Sequence, residues 1–371
     1  METDIGLTPV GSSSDHNSIP QTEYNDEAVI DNELQSRKTI STKTQLQYAR
    51  NGHAALRSII TSNILKKIKI ELIQHSKDSE LDAWRQKVEV ATKSIDVANS
   101  CKTVSECKSM LQQYYNNDND ENEYRIPFLQ HFNTWQSKAC PTVAKLVLSP
   151  LLASMASQLL DVPIVRLYQD SLFHKRYDDG PTPWHSDARM APFDTSNMIT
   201  FWFPLDNVPS AEDGGTGLYF VDKSHVDFAL PFWNPVPKCD YEEDGESKND
   251  NDQTNDVYGR LDERYGGEDS IKNHMPLEVG DCTAHAGWTL HCADGMSISN
   301  KDRYALAITY VDARAEIRFD AKGGNVADVS DQNSSSLGHD EDRNSFRTWI
   351  GEVEPRQNFD HPLVPIVWPP S

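Results

Sequence analysis

The spacing of apolar residues changes once along the chain, near Asp161. Before that point they recur at intervals of three and four, the period of a helix with one buried face. Thr42 to Gly52 reads as a short capped helix stopped by its glycine. Leu56, Ile59, Ile60 and Ile64 follow at helical spacing, and Ile68, Ile70, Leu72 and Ile73 continue a longer helix. Leu81 to Tyr115 is helical in pattern with a break, and Ser137 to Leu160 carries the densest stripe, from Val143 to Leu160. These stripes predict core-facing helices. Beyond Asp161 the runs become short, aromatic and β-branched: Val162–Tyr168, Met198–Leu205, Gly217–Val221 and Arg303–Val311. With turns at Asp206–Pro209, Glu212–Gly215 and Val279–Asp281, they predict an antiparallel sandwich or small barrel.

Segments without either period divide the chain. Residues 1–40 are polar and acidic, and are expected to form a disordered tail. Residues 41–371 then form a single domain: a helical part (41–160), a β core (161–320) with an acidic insert (239–270), and a polar loop and C-terminal strap (321–371). The strap is Pro362–Trp368, apolar with proline at intervals. Gly323 to Arg343 is rich in Ser, Asp and Asn and reads as a surface loop.

Charge narrows the function. There are 35 basic and 57 acidic residues, a net charge of −22, which argues against nucleic acid as a partner. A local basic pocket for an anionic small molecule remains compatible with it. No apolar run is read as a membrane span, the N-terminus has neither the basic nor the apolar region of a signal peptide, and the C-terminus is not a peroxisomal address. Six cysteines without a CxxC pair suit a reducing location, so an intracellular, cytoplasmic protein is expected. Its partner is then a small molecule.

Candidate chemistry centres on Pro183-Trp184-His185-Ser186-Asp187. On an extended strand, positions i and i+2 share a face, so His185 and Asp187 can reach one metal ion. A second His-x-Asp, His225-Val226-Asp227, is followed mostly by Pro-broken sequence and the acidic insert. The first copy has at least three strand candidates between it and a distal histidine, and fits better. For that third ligand His285 and His291 both qualify; the spacing to Arg303, through a loop and into an antiparallel strand, favours His291. A metal held by two imidazoles and one carboxylate on one face suggests non-haem iron. Arg303 offers a forked cation to a carboxylate. Lys175 and Thr200 are candidates to assist there, Trp202 to wall the pocket, and Arg189 to meet an anionic substrate.

The order of these blocks resembles the phytanoyl-CoA dioxygenase family of iron(II)- and 2-oxoglutarate-dependent oxygenases. Thr44–Gly52 is similar to the family's opening helix followed by Asn-Gly, and Lys175 to the lysine preceding its Trp-His-x-Asp. Ile199–Asp206 resembles its next core strand, Gly214–Leu218 with Lys223-Ser224-His225 its Gly-rich turn and Gly-Ser-His, and His291 with Arg303–Leu306 its distal histidine and co-substrate arginine. The chain departs from the pattern in the insert after Lys238 and in having Asp294-Gly295 where the family has an Asn. The resemblance implies a mainly β fold, a double-stranded β-helix (cupin-like jelly roll) with supporting N-terminal α-helices. It also implies Fe(II), 2-oxoglutarate and O2, with ascorbate as a reductant, and hydroxylation of a small molecule with succinate and CO2 as co-products. Asp187 stands where related halogenases have a small residue, and so implies hydroxylation. A cupin-like metal-dependent isomerase or hydrolase, and a non-catalytic jelly-roll binding protein, are the alternatives on the same fold.

Overall fold

The computed structural model describes residues 21–116, 128–177, 179–227, 265, 268–296, 302–318, 321 and 345–370. Nine helices are described. They are α1 (Gln21–Gln35), α2 (Thr42–Asn51), α3 (Ser62–Asp78), α4 (Glu80–Thr92), α5 (Ile95–Ser100), α6 (Val104–Asn116), α7 (Pro141–Val147), α8 (Pro150–Leu160) and α9 (Asp187–Met190). Their ends follow local chemistry. Ser41 accepts the Thr44 amide at the start of α2, and Gly52 closes that helix at φ 85°. A Cβ at Gly52 would lie 2.5 Å from both His225 Nδ1 and Thr289 Oγ1, so no larger residue fits. Proline opens α7 and α8, and Ser149 caps the latter.

Four sequence expectations change here. Within the stretch expected to be disordered, α1 is a helix that buries Ile30 and Leu34 in the main core. The stretch Leu56–Thr61 is not helical, and the helix begins only at Ser62. Leu56 ends a strand, and the amides of Ile59 and Ile60 both donate to Gly280 O, so the segment is tied to the turn before another strand. Ile70, on the stripe by spacing, is 70% exposed. Finally, Pro141–Leu160 does have the length and composition of a membrane span, but 67% of its apolar window is buried inside the protein. The insert 239–270 lies outside the described residues except Tyr265 and Glu268–Ser270, and Gly323–Arg343 lies wholly outside them.

Two antiparallel sheets face each other. The large one runs β1 (His53–Leu56), β9 (Cys282–Ala286), β6 (Met198–Pro204), β11 (Arg303–Asp312), β3 (Val165–Lys175), β13 (Ile366–Trp368), with β2 (Leu129–Phe132) also on the outer edge of β3. The small one runs β4 (Thr182–His185), β10 (His291–Ala293), β7 (Leu218–Val221), β8 (Ile271–Asn273). A two-stranded ribbon, β5 (Phe193–Asp194) with β12 (Glu316–Ile317), stands apart. Near the C-terminus β13 pairs with Arg166 and Val165 of β3.

Strand parity gives the large sheet two different faces. Ile199, Phe201 and Phe203 of β6, with Leu306, Ile308 and Tyr310 of β11, pack outward against α3, α7 and α8 in one continuous core. The alternate residues Trp202, Ala305 and Ala307 meet Leu218, Phe220 and Ala293 of the small sheet. On this inner face the register aligns a polar row across five strands: His53 opposite His285, His285 opposite Thr200, Thr200 opposite Thr309, Thr309 opposite Gln169. At the far end of the same face Arg303 stands opposite Lys175.

The outer face carries the stability. Phe201 is fully buried and meets Tyr310 edge-on at 6.0 Å between ring centres. Phe201→Ala is expected to cost about 3–5 kcal/mol, and Ile70→Ala under about 0.5 kcal/mol. Urea unfolding midpoints of the two variants check the contrast.

Candidate metal centre

The two edge-to-edge strands β4 and β10 place His185 directly opposite His291. Each imidazole is held by its own chain. His185 Nδ1 lies 2.8 Å from Pro183 O, and His291 Nδ1 lies 3.0 Å from Thr289 O. A carbonyl can only accept, so both Nδ1 atoms carry the proton and both Nε2 atoms keep a lone pair. The rings approach to 4.1 Å between centroids. Asp187 is not on the strand: it opens α9. Ser186 between them stays extended (φ −128°, ψ 131°), so His185 and Asp187 still share a face. Asp187 Oδ1 lies 3.6 Å from Nε2 of His185 and 3.6 Å from Nε2 of His291.

His185, Asp187 and His291 thus offer three ligand atoms within 4.8 Å of one another. Two imidazoles and one carboxylate converging from one side fit the donor set of a non-haem Fe(II). His225 and Asp227 are employed elsewhere. His225 Nε2 donates to Ala49 O at 3.2 Å, and Asp227 accepts from Tyr265 at 2.7 Å.

Electrostatics prepares the three groups for a cation. Burial, the largest effect, holds the His185 imidazole below its ordinary range. Burial and the neighbouring His185 and His291–His285 repulsion hold His291 lower still. Both imidazoles are therefore neutral. Burial alone would raise the Asp187 carboxyl, but His291 and His285 outweigh it and hold the group far below the usual carboxylate range.

The second oxygen of Asp187 has its own partners on the large sheet. Thr200 Oγ1 donates to Oδ2 at 2.6 Å and meets Thr309 Oγ1 at 3.1 Å. His285 Nε2 lies 3.2 Å from the same Oδ2. Thr200, expected beside a co-substrate, therefore spends its hydroxyl on Asp187. His285, weighed as a ligand from its spacing, has its ring 4.2 Å from that of His291 but directs Nε2 at Oδ2, the other oxygen of the carboxylate. Inward parity along β6 and β9 is the signal that would have found this pair.

The cationic end of the cavity also differs from expectation in route. β10 and β11 do not form a hairpin: β10 pairs with β4 and β7, and β11 with β3 and β6. Arg303 instead comes from the facing sheet, opposite Lys175. Lys175 is fully buried and bridges to the small sheet, its Nζ 3.0 Å from Asp294 O and 3.4 Å from Ala293 O. Arg303 donates to Thr216 O, and its guanidinium carbon lies 5.7 Å from the Trp202 ring centre. Trp202 is two residues from Thr200 on one face of β6, a separation of roughly 7 Å. Arg189 stands on α9 two residues past Asp187, its carbonyl accepting from Arg318 at 3.2 Å.

Burial and Arg303 push the Lys175 amine down to about 6. Arg303 is pushed by burial to about 10 and stays charged at neutral pH. On the inner face of the large sheet Gln169 Oε1, Ser171 Oγ, Thr283 Oγ1, His285 Nδ1 and Arg303 Nε are buried without a protein partner. This mixture of donors and acceptors suits a polar occupant.

A sequence model of the family described as phytanoyl-CoA dioxygenase (PhyH) matches residues 48–305. No curated protein matches the chain. Among solved structures it is similar to the non-heme alpha ketoglutarate dependent carbocyclase SnoK from nogalamycin biosynthesis, at 18% identity and TM-score 0.50, over 89% of this chain and 99% of that one. It is also similar to the epimerase SnoN, solved with Fe3+, alpha ketoglutarate and nogalamycin RO, at 16% identity and TM-score 0.49, over 88% and 97%. EctD from S. alaskensis, solved with 2-oxoglutarate and 5-hydroxyectoine, matches at 15% identity and TM-score 0.45, over 77% and 83%. The likeness to SnoK agrees with the two facing antiparallel sheets as a jelly roll. The family match extends from α2 through His185, Asp187 and His291 to the first half of β11, and the chain belongs to the phytanoyl-CoA dioxygenase family.

Proposed function

We propose that the protein is an Fe(II)- and 2-oxoglutarate-dependent dioxygenase that hydroxylates a small molecule. The observation that carries this reading is the pairing of two features: a His-Asp-His cluster, and Arg303 opposite Lys175 on the inner face of the large sheet, the face whose Thr200 bonds Asp187. His185, Asp187 and His291 would hold the iron. When bound, iron with 2-oxoglutarate and O2 would supply the oxidising chemistry, with succinate and CO2 as co-products.

The chain's own residues do the rest. Arg303 receives the distal carboxylate of 2-oxoglutarate through its forked donors. Trp202 supports the guanidinium with its ring face. Lys175 adds a proton-dependent second donor. Thr200 acts through Asp187 and not on the co-substrate. Arg189, two residues past Asp187, is the candidate to meet a polar or anionic substrate group. A cupin-like isomerase or hydrolase would have no use for a buried arginine with a lysine opposite it.

Three results test this. Purified protein with ferrous iron should form succinate from 2-oxoglutarate slowly without added substrate, and His185→Ala or His291→Ala should abolish it. Unchanged turnover in either variant would sink the assignment. Arg303→Gln removes a charge-assisted contact worth about 1.5–3 kcal/mol, so KM for 2-oxoglutarate should rise roughly 10- to 100-fold, as read from initial rates.

The third concerns pH. Free Lys175 loses its proton near 6, and a bound carboxylate favours the protonated amine. Binding above that pH must therefore take up a proton, and affinity for 2-oxoglutarate should fall as pH rises from 6 to 9, by at most about tenfold per unit. Lys175→Met should flatten the profile. A flat wild-type titration by calorimetry would remove Lys175 from the co-substrate site.

A further inference from the structure

Three imidazoles surround Asp187, and the backbone sorts them into two kinds. His185 and His291 each have a carbonyl at Nδ1, from Pro183 and Thr289, which keeps the proton there and the Nε2 lone pair toward Oδ1. His285 has no such carbonyl. It is 1% exposed and its Nδ1 has no partner, while its Nε2 lies 3.2 Å from Asp187 Oδ2. A carboxylate oxygen only accepts, so the proton of His285 sits on Nε2 and points at Asp187. In that tautomer Nε2 has no lone pair for a metal. Thr200, from the neighbouring strand, gives Oδ2 its second donor at 2.6 Å.

We propose that His285 is a positioning residue: with Thr200 it clamps Oδ2 of Asp187, so that the carboxylate presents Oδ1 alone to the metal. The proposal rests on the iron reading above and goes beyond it. With Oδ2 held by two donors from the large sheet, Asp187 is a one-oxygen ligand and the position beside it stays open. Without the clamp the carboxylate can turn and bind through both oxygens, or swing away from the two imidazoles. The clamp also ties the sheets together at the site, since β9 and β6 hold one oxygen and the side chains of β4 and β10 face the other.

Co(II) binding to the full chain tests this without turnover. Loss of a hydrogen bond that orients a metal ligand weakens metal affinity by about 10- to 100-fold. His285→Ala should raise the Co(II) dissociation constant by that factor and alter the visible d–d spectrum of the bound ion. His285→Gln, whose side-chain amide can donate to the same oxygen, should return affinity to within about threefold of wild type by the same reasoning. Thr200→Val removes the other donor and should shift affinity and spectrum in the same direction; it serves also if His285→Ala does not fold.

Unchanged affinity and spectrum in His285→Ala would overturn the clamp. So would a loss as complete as that of His291→Ala, which would make His285 a ligand, or a folded His285→Gln no better than His285→Ala. Wild-type protein that binds no Co(II) would instead overturn the iron reading beneath it, a result distinct from all three.

Discussion

A carboxylate held between two sheets is the constraint on which the rest of the site depends. The Asp187 side chain is only 18% exposed, and an unpaired charge there is unfavourable. Its two oxygens are supplied separately. The side chains of β4 and β10 turn two lone pairs toward Oδ1, an arrangement that favours a cation between them, while β6 and β9 turn two donors toward Oδ2. The arrangement depends on register. His185 is opposite His291 on the small sheet, and His285 is opposite Thr200 on the large one. A slip of one residue in any of these strands would turn its contributor to the other face.

The cationic end obeys the opposite logic. Arg303 and Lys175 are cross-strand partners of like charge, an arrangement that destabilises a sheet when both are ionised. The structure reduces the conflict by turning Lys175 toward the carbonyls of Ala293 and Asp294, and burial lets that amine deprotonate first. Local positive potential therefore exists inside a chain whose net charge is −22. The overall acidity argues against polyanionic partners but not against a small dicarboxylate, because Arg303 is buried and the field of distant surface charges is screened.

The sequence made some of this legible and not the rest, for physical reasons. Strand parity was readable wherever a run was long: Met198–Pro204 and Arg303–Asp312 appear nearly as their patterns predict, and the His185/Asp187 spacing survives even though Asp187 opens a helix. Short elements were not readable. The strand at His53–Leu56 exists because it pairs with β9, and its two alanines carry no local preference strong enough to reveal it. Helix α1 lies in a polar stretch, and it is fixed by the burial of Ile30 and Leu34 against the core, a tertiary effect. The expected route to Arg303 was wrong: sequence adjacency suggested a hairpin with β10, whereas β10 pairs in the small sheet and β11 in the large one. Thr200 and His285 were visible as residues. Their shared attachment to one oxygen of Asp187 depends on the register of three strands, which spacing along one chain does not encode.

The back wall of the site extends the same principle of sorted histidines. Phe220 of β7 lies between the two groups, 6.2 Å from His291 and 5.5 Å from His285 on one side, and stacked at 4.7 Å on His53 on the other. His53 in turn bonds Asp222 at 2.8 Å through Nε2 and His274 at 2.9 Å through Nδ1. Asp222 accepts, so His53 carries its proton on Nε2, and its Nδ1 must accept from His274. Burial keeps both imidazoles neutral, pushing His53 down to about 3 and His274 to about 4. These side chains join β1, an edge of the large sheet, to the end of β8, an edge of the small one, where no backbone pairing closes the gap. The ring that backs His291 is thus held by a chain of directional bonds with a single allowed arrangement of protons. A neutral, fully assigned network at the seam keeps the wall in one position, and the geometry around Asp187 can be rigid because the wall behind it is.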